Sequence, residues 1–177
     1  MQEDIDLKKS LEASRIKWTG NSFLGKYILV IVVSIWPVIT LVPGIRDNDL
    51  LMFNQTYPYF LTCYFLLFIA YYYNSRSTKI EVNQAPILFR RIIEKKIINE
   101  GWRIYRSNQR YLVAEKPMGL VIGFKVGILY GKGFILINVQ NEAGGRGYSP
   151  FSLGRNKRIT NKFVKLIKEA DKNILTP

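Results

Sequence analysis

The chain contains no histidine and a single cysteine, Cys63. The first absence removes the commonest general base and the commonest metal-ligating side chain, so neither a Ser/His catalytic arrangement nor a zinc centre has a foundation here. The second excludes an intrachain disulfide and a cysteine metal cluster, and nothing suggests an oxidising compartment. Acidic residues are also scarce, with 13 Asp and Glu against 26 Lys and Arg. Glu94, Glu100, Glu115 and Glu142 are scattered over different expected elements, with no spacing that pairs two carboxylates for acid/base work. No catalytic residue, cofactor site or metal site is expected.

What the chain does have is apolar and basic character kept apart. Almost half of the residues are hydrophobic, yet the formal net charge is +13. From Arg76 to Pro177 there are 20 Lys and Arg against 7 Asp and Glu, so the excess charge lies in the C-terminal part.

Two uncharged runs precede that part, Tyr27 to Ile45 with 19 residues and Leu50 to Ser75 with 26. At about 1.5 Å rise per residue the first reaches ~28 Å as a helix, close to the hydrocarbon thickness of a bilayer. The turn between them, Arg46-Asp47-Asn48-Asp49, is too short to cross anything. The reading is a two-helix transmembrane hairpin over 24–75, with spans at about 27–45 and 55–73. Lys8, Lys9, Arg15, Lys17 and Lys26 before the first run, with Arg76 and Lys79 after the second, put both termini on the cytoplasmic side. Tyr57, Tyr59 and Tyr71 to Tyr73 would form interfacial belts. Pro37 would kink the first span, and Ser34, Thr40 and Thr62 would bond freed carbonyls or cross to the partner helix. Four acidic residues ahead of the first run, and no small-x-small site after it, argue against a removable signal peptide. The location implied is the inner membrane, multi-pass, with a cytoplasmic N-terminal segment over 1–23 and a basic cytoplasmic domain over 76–177. Met118 to Val139 is apolar as well, but Lys125 and Lys132 inside it point to strands and not to a third span.

In the basic domain, Thr78 to Val82 alternates polar and apolar residues as a half-buried strand does. Pro86 starts a helix with Phe89, Ile92, Ile93 and Ile97 on one face, and Gly101 stops it. Strands follow at Trp102 to Arg106, Tyr111 to Glu115, Leu120 to Leu129 and Phe134 to Gln140, linked by turn-forming residues. A Gly- and Ser-rich loop, Glu142 to Arg155, leads to a last helix near Lys157 to Asp171. The order β-α-β-β-β-β-α predicts an α+β domain with a mainly antiparallel sheet and both helices on one face. The run Ser152-Leu153-Gly154-Arg155-Asn156-Lys157-Arg158, entering an amphipathic helix after a strand meander, resembles small uncharacterised bacterial α/β domains that carry membrane helices. The resemblance implies that fold and membrane attachment; it carries no activity and no site residue.

The candidate contact residues are Arg155, Lys157, Arg158, Lys162, Lys165 and Lys168, which line the last helix and its start. Gly131-Lys132-Gly133 and Gly144-Gly145-Arg146-Gly147 are further places where backbone and cation could cradle an anion, although none has P-loop spacing. The leading expectation is a non-enzymatic integral membrane accessory or scaffold protein. Its partners would be the lipid bilayer, anionic lipid headgroups, a protein partner or a homo-oligomer. The alternative is a ligand-gated membrane effector that binds a nucleotide or other phosphate ligand. A third is a membrane-tethered nucleic-acid binder, with Tyr105, Tyr111 or Tyr148 stacking on bases.

Overall fold

The computed structural model describes residues 5–18, 34–35, 39, 50–74, 76–118, 122–143, 147–149 and 154–175. Two compact units divide the chain, residues 1–20 with 74–177 and residues 21–73.

In the first unit an antiparallel sheet is built from β1 (Thr78–Glu81), β2 (Arg103–Ser107), β3 (Tyr111–Met118), β4 (Ile122–Tyr130) and β5 (Phe134–Ala143), in the order β1-β5-β4-β3-β2. The three consecutive pairings from β2 to β5 are hairpins. Asn108 holds the first, its Oδ1 accepting from the backbone N–H groups of Arg110 and Tyr111 at 2.8 Å. Gly133 serves the last, with a φ of +72° that side chains other than glycine adopt at a cost. The outer edge of β5 is shared: β1 pairs with Phe134 to Ile137, and a short β6 (Gly147–Ser149) pairs with Asn141 to Ala143. The sequence reading had taken β6 as loop.

Strand alternation gives the sheet two apolar faces. One carries Leu112, Ala114, Phe124, Val126, Ile128, Ile135 and Ile137, covered by α3 (Phe89–Asn99) and α4 (Arg155–Leu175). The opposite face carries Tyr111, Val113, Leu129 and Leu136. Residues 5–18 cover it, with Ile5 fully buried and Ile16 almost so. This N-terminal strap holds α1 (Leu7–Glu12), capped by the Asp6 carboxylate, and is closed by a bridge between Ile5 and Trp18. The backbone N–H of Lys9 donates to Asp6, and this bond is the main reason the Asp6 carboxyl sits below its ordinary range. Expected as a separate flanking segment, the strap is therefore half of a second core.

Gly127 explains how the strap lies flat. The Trp18 indole sits directly over it, so close that a Cβ at position 127 would come within 2.8 Å of two ring carbons. The indole N–H donates to the Asn138 side-chain oxygen at 3.0 Å, and the Asn138 amide donates to the Arg76 carbonyl at 2.7 Å. Ile16 N–H donates to Ser77 Oγ at 2.9 Å. The chain segments on either side of residues 21–73 are thus tied together on the sheet.

The second unit corrects the sequence reading. Its described helix, α2 (Leu50–Asn74), has 25 residues, but among the described residues no helix is long and apolar enough to cross a membrane. The length is sufficient and the apolarity is not. Six tyrosines, Asn54, Gln55, Thr56, Thr62 and Pro58 dilute the Leu and Phe content, so an uncharged run is not the same as a hydrocarbon-compatible one. Residues taken as interfacial belts are part of that dilution. The transmembrane hairpin falls with this finding, and so do the α+β membrane-protein class, the inner-membrane location and the multi-pass topology. The first expected span lies outside the described residues except for Ser34, Ile35 and Ile39, which are helical, as does the turn Arg46 to Asp49. Tyr64 OH donates to Ser34 Oγ at 2.6 Å, and Thr62 Oγ1 donates to the Pro58 carbonyl at 2.8 Å.

Candidate functional site: the basic face of the last helix

The orientation of α4 is fixed by what it buries. Phe163, Ile167 and Ala170 face the sheet, Ile159 and Val164 pack beside them, and the Phe163 ring meets Trp102 edge to face at 6.3 Å. Near the other end of the helix the buried Asp171 carboxylate accepts from Asn83 N–H at 3.2 Å, from the Asn83 side-chain amide at 3.1 Å and from Gln84 N–H at 3.4 Å. The helix can neither roll nor slide without breaking one of these sets.

With that stripe inward, Arg155, Lys157, Arg158, Lys162, Lys165 and Lys168 are all exposed. At about 1.5 Å per residue these cations, continued by Lys172, run along some 26 Å of the helix. Glu169 is the one carboxylate among the exposed residues of α4, and it lies 3.8 Å from Lys165 with both side chains mostly in solvent. Such a pair contributes roughly 0–1 kcal/mol and leaves the face strongly positive. Between Asn161, Val164, Lys165, Lys168, Glu169 and Lys172 lies an open hollow of 360 Å³. The sequence brought the six candidate residues to one helix; the structure adds the hollow, with Val164 as its apolar element.

The other candidates separate. Gly131-Lys132-Gly133 is the β4–β5 turn, at the opposite end of β5 from the strand end that leads through β6 to Arg155. Gly144, Gly145 and Arg146 lie outside the described residues. Tyr111 is buried, its hydroxyl accepting from Arg106 at 3.0 Å, so it has no face to offer a base. Tyr105 is exposed on β2, beneath the Arg103 guanidinium at 5.6 Å, and is not part of the helix face.

A polar cluster went unread in the sequence. On α3, Glu94 accepts from Arg90 Nε at 2.8 Å and from the Ser107 hydroxyl at the end of β2, and Arg90 Nε also reaches Ser107 Oγ at 3.0 Å. The four-residue spacing of Arg90 and Glu94 was the available signal. Partial burial pushes the Glu94 carboxyl up, but the bonds from Ser107 and Arg90 and the nearby guanidinium charges outweigh it and hold it below its ordinary value. A carboxylate so stabilised is a weak base, so the cluster is better suited to tying α3 to β2 than to activating Ser107. The Tyr130 phenol beside it is raised by burial, with the Glu94 charge adding to the effect.

Comparison with protein families, curated proteins and solved structures finds no match to this chain.

Proposed function

We propose that this is a non-enzymatic accessory or scaffold protein that holds an acidic protein partner on the outward face of α4. The observation that carries the reading is the run of exposed cations from Arg155 to Lys168, with Glu169 as the only carboxylate among the exposed residues of the helix. A rigid helix presenting such a face complements an acidic surface and steers it in by long-range attraction. Anionic lipid was attractive as a partner only while a membrane tether held the domain beside a leaflet. A single-strand nucleic-acid reading needs exposed aromatic rings near the cations, and none of the described exposed residues of α4 is aromatic.

Titration of the full chain with a fluorescent oligo-glutamate peptide tests the proposal. The K162Q/K165Q/K168Q variant should bind more weakly by roughly 1–3 kcal/mol, at up to about 1 kcal/mol for each exposed pair. Salt should erase most of the difference, since the Debye length falls from about 10 Å at 0.1 M to about 3 Å at 1 M. Equal binding by parent and variant at low salt would overturn the reading, and preference for duplex DNA over the peptide would replace it.

A further inference from the structure

We infer that the strap side of the sheet holds a second binding site, for a small amphipathic carboxylate, on the face opposite α3 and α4. A cavity of 440 Å³ opens between the strap and the β4–β5 turn. That is within the roughly 300–1,000 Å³ usual for small-molecule sites. Leu7 and Leu11 of α1 form one wall, and Leu129 and Phe134 form the sheet side. Arg110 and Lys132 also line the cavity, and none of the described lining residues is a carboxylate.

Several features mark this as more than a gap in packing. Leu11 remains 45% exposed while Leu129 is buried, so the apolar wall continues to the surface. Both cations sit on pinned backbone. The Arg110 carbonyl accepts from Tyr130 N–H at 2.8 Å, which staples the β2–β3 hairpin tip to the end of β4. The Lys132 turn is closed by Gly131 N–H to the Phe134 carbonyl at 2.9 Å and clamped by Val82 N–H to the Gly133 carbonyl at 3.1 Å. Gly131 has no side chain to collide with the Phe134 ring, which tucks against the turn.

Apolar walls lined also by two cations on pinned backbone complement an alkyl or aryl tail ending in a carboxylate. The tail would gain from leaving water. The headgroup would gain charge-assisted bonds, bidentate if it meets Arg110 squarely. A neutral ligand of the same tail would lack the second gain, and a cationic one would meet repulsion.

Decanoate and decanol, which share a tail, are the probes, titrated into the full chain with leucine methyl resonances as the readout. Decanoate should bind more tightly than decanol by about tenfold, the worth of one charged hydrogen bond. It should perturb Leu7, Leu11 and Leu129. R110Q/K132Q, a change at two exposed positions, should abolish the preference. L11W, which fills the mouth, should weaken both ligands. Unchanged preference in R110Q/K132Q, or perturbations confined to other leucines, would overturn the proposal.

Discussion

Substituting Gly127 with alanine adds one methyl group, yet it should be among the more damaging small changes in the sheet unit. A Cβ there would stand 2.8 Å from two carbons of the Trp18 ring, closer than carbon atoms approach, so the indole must lift. Lifting it breaks the 3.0 Å bond to Asn138, which is 1% exposed, and so separates a buried polar pair. Such a loss costs about 1–3 kcal/mol. The Lys125 ammonium, 5.3 Å from the Trp18 ring centre, loses a contact worth about 0.5–1 kcal/mol. Alanine is better than glycine in a strand by roughly 0.5–1 kcal/mol, which offsets part of the loss. The net expectation is a destabilisation of about 1–3 kcal/mol, read as a lower urea midpoint at unchanged slope. The decisive control is the same change in a Trp18→Ala background, where the clash is gone and G127A should become neutral or slightly stabilising. A destabilisation of the same size in both backgrounds would refute the reasoning.

Two further outcomes follow from single groups. Glu94→Gln should lower stability by about 1–2 kcal/mol at neutral pH, because hydrogen bonds to a charged acceptor are replaced by weaker ones. The Glu94 carboxyl is depressed on folding, so its contribution is present above the ordinary carboxylate range and fades as pH falls below it; urea titrations at pH 7 and pH 3 should therefore show the parent and variant converging in acid, and a constant gap would contradict the assignment. Cys63 is exposed on α2, so in the native full chain it should react with a water-soluble maleimide at a rate close to that in urea; protection that ends only on denaturation would contradict the exposure of that face.

How far the sequence could be read depended on whether a residue's environment is set locally. Alternation in Thr78 to Glu81 and the long apolar strands at the centre of the sheet were legible, because strand periodicity records two faces directly. So was the end of α3, where Gly101 adopts a φ of +76° and Trp102 turns back into the core. The cationic face of α4 could be read from helical spacing once Phe163 and Ile167 marked the inward stripe. The strap could not. Ile5, Ile16 and Trp18 follow no period, and Ile5 and Trp18 pack over Gly127, more than a hundred residues away. Asp171 looked like an ordinary helix end and is instead buried against Asn83 and Gln84. The misreading of residues 50–74 has a different origin. The run lacks charge, but its polar hydroxyls and amides decide whether a helix can leave water.

The central claim, that α4 recognises an acidic partner by charge, is tested most directly by reversing the charge on both sides. The parent chain should bind an oligo-glutamate peptide and ignore an oligo-lysine peptide, while K162E/K165E/K168E, still anchored by Phe163 and Ile167, should lose the first peptide and gain the second. Binding of oligo-glutamate by the reversed variant as strongly as by the parent would contradict the account.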